Sequence, residues 1–234
     1  MPNLNRYTAF LAIFLTCLGF MPIALAEPRD EDMPNIITNS SSNYRIRVEY
    51  PTLQNSRANS DIAFWAEQQA NTFIRGIEDI QNLESAFFTL SITYNKNFSS
   101  NRCDSLYFKI VVDMGDMQPG IGLATFTYDR RDGRSLTLTD LFGKTAGIYP
   151  FLAVYCNKAL KTQTYNANHD FFRIIDEMTT VEPTNYSFFN LNPDGLTFFF
   201  PLNQSDRFNQ TEVTVKVPLR EMKRFEPIRA YWSR

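Results

Sequence analysis

The sequence predicts an α+β fold, a mainly antiparallel sheet with helices packed on it. Three observations lead there. Apolar and polar residues alternate over several short runs, which is the period of a half-buried strand. Turn-rich links such as Asp129 to Gly133 and Asn192-Pro193-Asp194-Gly195 join some of these runs and favour antiparallel neighbours. Helical spacing comes in blocks rather than after every strand, which separates this chain from a βαβ repeat.

Residues 1–26 have the pattern of a secretory signal peptide. Arg6 is the only charge, Tyr7 to Ile23 is an uncharged, mainly apolar run, and Pro22 precedes Ala24-Leu25-Ala26. That small-x-small pattern is where signal peptidase cuts, so cleavage is expected between Ala26 and Glu27. An uncleaved anchor is the competing reading, because the run approaches spanning length. Cys17 as a lipidated residue is disfavoured, since the apolar run continues past it. Cleavage leaves about 200 residues, enough for a substantial core. The charge balance of 23 Lys+Arg against 25 Asp+Glu argues against a nucleic-acid or anionic-membrane binder, which needs a concentrated basic face. No second apolar run is long enough to cross a bilayer, so no transmembrane segment is expected once the signal is removed.

Residues 27–43 mix charge, Pro, Asn and Ser without periodicity and read as a flexible leader. Tyr44, Ile46, Val48 and Tyr50 alternate with charged residues, giving a strand that ends at Pro51. Asn59 or Ser60 is expected to cap a helix in which Ile62, Trp65, Ala66, Ala70, Phe73 and Ile77 form a core stripe. Phe88 to Tyr94 and Leu106 to Val112 are two further strands. A break near residue 100 divides a small strand-helix-strand unit (44–102) from a larger α+β unit (103–234). In the next hairpin, Ala124, Phe126 and Tyr128 share one face, and Leu136 and Leu138 continue the alternation after a turn at Asp129 to Gly133. Thr139 or Asp140 is expected to cap a helical turn that holds Leu141 and Phe142 on the core. Ile148 to Leu160 and His169 to Met178 read as helices, and Tyr186–Leu191, Leu196–Phe200 and Val213–Val217 as strands. A short helix after Pro218 brings Leu219, Met222 and Phe225 inward.

Cys103 and Cys156 are the two cysteines beyond the signal. In an exported chain such a pair reads as a disulfide, which would stabilise the fold by roughly 4 kcal/mol. The competing readings are two unpaired thiols and a catalytic thiol based on His169, the only histidine.

The string from Thr127 to Phe142 resembles the Asp-x-x-x-Gly-x-x-Leu-x-Leu-x-Asp-Leu-Phe signature of a bacterial extracytoplasmic family. That family includes the lysozyme-sensing domain of the RsiV-like anti-sigma factor and accessory domains of some peptidoglycan deacetylases. Many members are known only as domains of unknown function. Tyr50-Pro51 with Asn59, Ile62 and Trp65, Asp194 to Phe200, and Val213 to Leu219 resemble further family motifs in the same order. The segment Met117 to Gly122 lacks the histidine that family members often carry before the hairpin. The resemblance implies a fold and a bacterial, periplasmic or secreted setting, and it transfers no catalytic set.

The residues themselves mark no catalytic, cofactor or metal site. Asp129 and Asp132 fall short of the six to eight oxygens calcium takes and read as hairpin-turn residues. Asp113 and Asp116 are candidate acid and base for an enzyme that modifies envelope polysaccharide or peptidoglycan, but they lie in a glycine-rich polar loop. With 21 Phe, 11 Tyr and 2 Trp, aromatics are plentiful. Tyr107, Tyr186, Phe188 and Phe199 are candidates for a contact patch, unless a further helix covers that side. The expectation is a non-enzymatic binding domain for a cell-envelope glycan, an envelope protein or a lysozyme-type hydrolase, with no cofactor.

Overall fold

The computed structural model describes residues 33–78, 86–115, 119–164, 169–202 and 212–233. The expected signal segment, with Ala26 and Glu27, lies outside the described residues, as does Asp116. The fold is α+β, as the sequence patterns predict. A five-stranded sheet runs in the order β1 (Asn35–Ser40), β2 (Tyr44–Tyr50), β3 (Phe88–Ser99), β4 (Cys103–Asp113), β5 (Gly120–Asp129). All neighbours are antiparallel except β2 and β3, whose parallel pairing requires the crossover that α1 (Ser56–Glu78) supplies. A three-stranded antiparallel sheet follows, formed by β6 (Phe189–Asn192), β7 (Gly195–Pro201) and β8 (Glu212–Pro218).

Each face of the first sheet has its own partner. Ile46, Val48, Leu90, Ile92, Leu106, Phe108 and Tyr128 pack against Ile62, Ala66, Phe73 and Ile77 of α1. On the opposite face lie the second sheet, α2 (Ile148–Gln163) and α3 (His169–Met178). Their core includes Leu152, Leu160, Ile175, Phe198, Val215 and Trp232, and it recruits Phe98 and Cys103 from the first sheet. Strands β3 and β4 are hairpin partners through residues 99–104, so the sheet continues across that stretch of chain.

Four local features differ from the sequence patterns. Residues 35–40, within the expected irregular leader, form an edge strand; its backbone bonds to β2 outweigh its scant apolar burial. The cap of α1 is Asn55 rather than Asn59 or Ser60: Asn55 Oδ1 accepts the Arg57 and Ala58 N–H groups at 3.0 and 3.4 Å. Asn59 instead accepts the Leu53 N–H. After Gly133 the chain makes one bridge, Tyr128 to Ser135, and then a 3-10 turn at Leu138–Leu141, so Leu136 and Leu138 are core anchors without a second strand. The N-cap of that turn is Thr137 rather than Thr139 or Asp140, and Asp140, its third residue, closes a capping box. Its carboxylate takes the Thr137 N–H at 2.7 Å and the Thr137 hydroxyl at 2.6 Å.

The second sheet is joined to the first by side-chain hydroxyls. β6 is an edge strand, and its outward N–H groups need acceptors. Thr125 Oγ1 accepts the Phe189 N–H at 3.1 Å and Ser105 Oγ accepts the Leu191 N–H at 3.0 Å. Asn190 is 1% exposed and donates to Ser105 Oγ and to the Leu106 carbonyl, while its own Oδ1 accepts from Asn97. The polar residues that alternate with the core face of β4 and β5 therefore bind the second sheet. Tyr107, on the same face as Ser105, lies against Phe199 with ring centroids 5.0 Å apart, and Tyr186 and Phe199 are buried. The expected aromatic contact patch is thus largely interior, covered by the second sheet at Tyr107 and Phe199 and by Tyr149 of α2 at Tyr186.

Candidate functional site

The turn at the signature string is an ion-pair hub. Asp129 is 1% exposed and receives Arg102 Nε at 2.8 Å, the Arg131 N–H at 2.9 Å and the Tyr231 hydroxyl at 3.4 Å. Asp104, also buried, takes two nitrogens of Arg130 at 2.9 and 2.6 Å and the Ser99 hydroxyl at 2.6 Å. Burial alone pushes the Asp129 carboxyl up, but the Arg131 N–H and the Arg102 guanidinium outweigh it and hold the group below its ordinary value. Asn55 Nδ2 reaches the Arg130 and Arg131 carbonyls, which ties the start of α1 to the turn. Gly133 sits against that contact with φ +68°, and a Cβ there would meet Asn55 Oδ1 at 2.1 Å. The glycine is required both for its conformation and for space.

Beside this hub opens a cleft of about 400 Å³, within the range of small-ligand sites. One wall is Thr125–Thr127 of β5 with Ser135–Leu138 beyond the turn; the other is Tyr149 of α2 with the segment from Pro183 to Phe189. No lining side chain is charged. Tyr149 and Tyr186 lie with ring centroids 6.1 Å apart. The Tyr186 hydroxyl donates to the Thr180 carbonyl, and Thr137, Ser187 and Thr125 are also engaged within the protein. Ser135, Thr184 and Tyr149 carry hydroxyls with no hydrogen-bond partner among the described residues, and burial raises the Tyr149 phenol.

No family model matches the chain, and no curated protein does. Several solved structures match in fold, among them two bacterial proteins. A member of the DUF3298 family from Bacteroides fragilis NCTC 9343 aligns with a TM-score of 0.58 at 11% identity, over 82% of this chain and 92% of that one. A DUF3298 family protein from Pseudomonas aeruginosa PAO1 aligns with a TM-score of 0.55 at 11% identity, over 86% and 95%. The chain has the DUF3298 fold. The likeness is one of fold alone and carries no residue role; it supports a bacterial domain family of unknown function, without the lysozyme-sensing or deacetylase links.

Within this DUF3298 fold, the expected site residues fall as follows. Cys103 and Cys156 are buried in the same core, and both are free thiols, so the expected bridge is not formed in this structure. The Cys103 sulfur instead lies 3.5 Å from Ser100 Oγ and 3.4 Å from the Tyr231 carbonyl. Burial pushes the Cys103 thiol up to about 11 and the Cys156 thiol to about 12, leaving little nucleophilic thiolate. Asp113 accepts the Gly115 N–H at 3.0 Å, a local turn contact, while Asp116 lies outside the described residues. Asp129 and Asp132 diverge: the first faces Arg102, the second accepts the Arg134 N–H. Among the described residues no three His, Cys, Asp or Glu side chains gather as metal ligands. No described helix is long and apolar enough to cross a membrane. The cleft residues Ser135, Tyr149 and Thr184 were not legible as a set, because they come from three separate segments with no shared spacing.

Proposed function

We propose that this chain is an exported, non-catalytic binding domain of the bacterial cell envelope, whose ligand seats in the cleft between β5 and the Pro183–Phe189 segment. The observation that carries this reading is how the polar groups are allocated. The buried carboxylates of the hub are each neutralised by an arginine, whereas the cleft beside them is uncharged and presents hydroxyls that have no partner among the described residues. Such a surface suits recognition, since acid–base chemistry works best with a group that titrates near the working pH, and the phenols lining the cleft, Tyr149 and Tyr186, are both pushed up by burial. The signal-like amino-terminal pattern and the fold shared with two bacterial DUF3298 proteins support the setting.

Titration of the purified domain against muropeptides and lysozyme, followed by calorimetry, tests the reading. At least one should bind saturably without being turned over, and Ser135→Trp, which fills the cleft mouth, should abolish that binding. Retention of none of them, or binding indifferent to Ser135→Trp in a variant that melts like the parent, refutes it.

A further inference from the structure

Resting on the binding reading above, we infer that the cleft takes an uncharged glycan, with a sugar ring laid against Tyr149 and its hydroxyls bridging Ser135 and Thr184. Neutral saccharides expose two kinds of surface: a C–H face that packs on aromatic rings and a rim of hydroxyls that both donate and accept. The cleft offers the complement of each. Tyr149, half-buried and inclined to Tyr186 at 37°, supplies the aromatic surface. The unengaged hydroxyls of Ser135, Thr184 and Tyr149 donate and accept in turn, as a polyol rim requires.

Charge decides against the other occupants. A phosphorylated or carboxylate-bearing ligand needs a cation, and an amine-bearing one needs an acid. No lysine, arginine, aspartate or glutamate lines the cleft. The nearest carboxylate contact is indirect: Asp140 accepts the Thr137 hydroxyl and is itself paired with Arg134 at 2.8 Å. Thr137 therefore gives its proton to a compensated carboxylate and accepts from Thr139 Oγ1 at 3.1 Å, and it brings no charge into the cleft. A peptide strand along the edge of β5 is the remaining competitor. The Thr127 carbonyl on that edge is already taken by the Leu136 N–H at 2.7 Å, which shortens the edge left to pair with.

The probe is the tetrasaccharide of N-acetylglucosamine, with the fully N-deacetylated, cationic tetrasaccharide as its charged counterpart. Titration is followed by amide chemical shifts. The neutral sugar should move the amides of Thr125, Ser135, Thr184 and Ser187, and its affinity should be the same at low and high salt. The cationic sugar should bind more weakly. Tyr149→Phe, which keeps the ring, and Thr184→Val should each weaken binding about 3- to 10-fold, the value of one hydrogen bond. Ser135→Trp should abolish it. If the neutral sugar leaves these amides unmoved while lysozyme or a muropeptide binds in a manner sensitive to Ser135→Trp, the glycan assignment falls and the binding reading stands. If neither tetrasaccharide, muropeptide nor lysozyme binds, both fall. Stronger binding of the cationic sugar, or an affinity unchanged in Tyr149→Phe and Thr184→Val, also overturns the assignment.

Discussion

Replacing Asp129 by Asn tests whether the signature aspartate is framework rather than chemistry. The substitution keeps the shape and leaves an oxygen for the Arg131 N–H, but it removes the charge facing Arg102, whose guanidinium lies 2.8 and 2.7 Å away. Taking one partner from a buried pair typically costs 3–5 kcal/mol. Arg102 keeps 24% of its side-chain surface in solvent and can rehydrate, so about 3 kcal/mol is expected. For a domain of this size that is a fall in Tm of roughly 6–12 °C. Urea denaturation of Asp129→Asn, Arg102→Met and the double variant closes the cycle. The double variant should cost less than the sum of the two singles, by roughly 0.5–3 kcal/mol of coupling. The pH dependence carries a sign as well. Because Asp129 is held below its ordinary value in the folded chain, its stabilisation is present above the unfolded value of 3.8 and is lost as pH falls through the folded one. Asp129→Asn should therefore lose stability at neutral pH and show a shallower acid limb, while ligand binding by the remaining folded protein is unchanged. A variant that melts within about 1 kcal/mol of the parent, or strictly additive singles, would refute the assignment of Asp129 to the framework.

Three further perturbations probe the same architecture. Gly133→Ala should cost about 2–3 kcal/mol, from the left-handed backbone and from displacing the Asn55 cap, and Asn55→Ala should remove only the second part of the difference between Gly and Gly133→Ala backgrounds, leaving the backbone strain; chemical denaturation reads both. Ser105→Ala strands the Leu191 N–H and one Asn190 donor between the sheets, and about 1–3 kcal/mol should be lost, with faster hydrogen exchange at Leu191 as the specific sign. Glu212 is raised by burial, only partly offset by the Tyr107 hydroxyl at 3.0 Å and by Lys109. Its contribution is thus fully present below the ordinary value of 4.5 and lost as pH rises through the folded one, so Glu212→Gln should be more stable than the parent at neutral pH and lose that advantage in acid, as urea midpoints across a pH series will show.

What was legible in the sequence and what was not follows from how local each cause is. Strand faces at Ile46/Val48 and Val213/Val215/Val217 were readable because a two-residue period is fixed by the pleat, and the α1 stripe because its helix buries one face. Leu141 and Phe142 were placed correctly in the core by the same means. The cap of α1 was misplaced because Asn55 earns its role from two carbonyls some 75 residues away, which no local pattern records. The strand at 35–40 was missed for the converse reason: an edge strand is held by backbone pairing, and its side chains carry little signal. The cleft was invisible for a deeper one. Thr125 and Thr127 alternate with Ala124, Phe126 and Tyr128, and that alternation says only that they lie on the other face of the strand. Thr125 receives the Phe189 N–H of β6, Thr127 pairs with the Ser105 hydroxyl of β4, and both border the cleft; only the folded arrangement distinguishes a threonine that faces water from one that satisfies a strand edge. The same ambiguity explains why the signature string transfers no function. Its Asp, Gly and Leu-Phe positions hold the ion pair, the tight turn and the core, so a chain can keep all of them while the residues that line the cleft, at the string's variable positions such as Ser135 and on other segments such as Tyr149 and Thr184, vary independently.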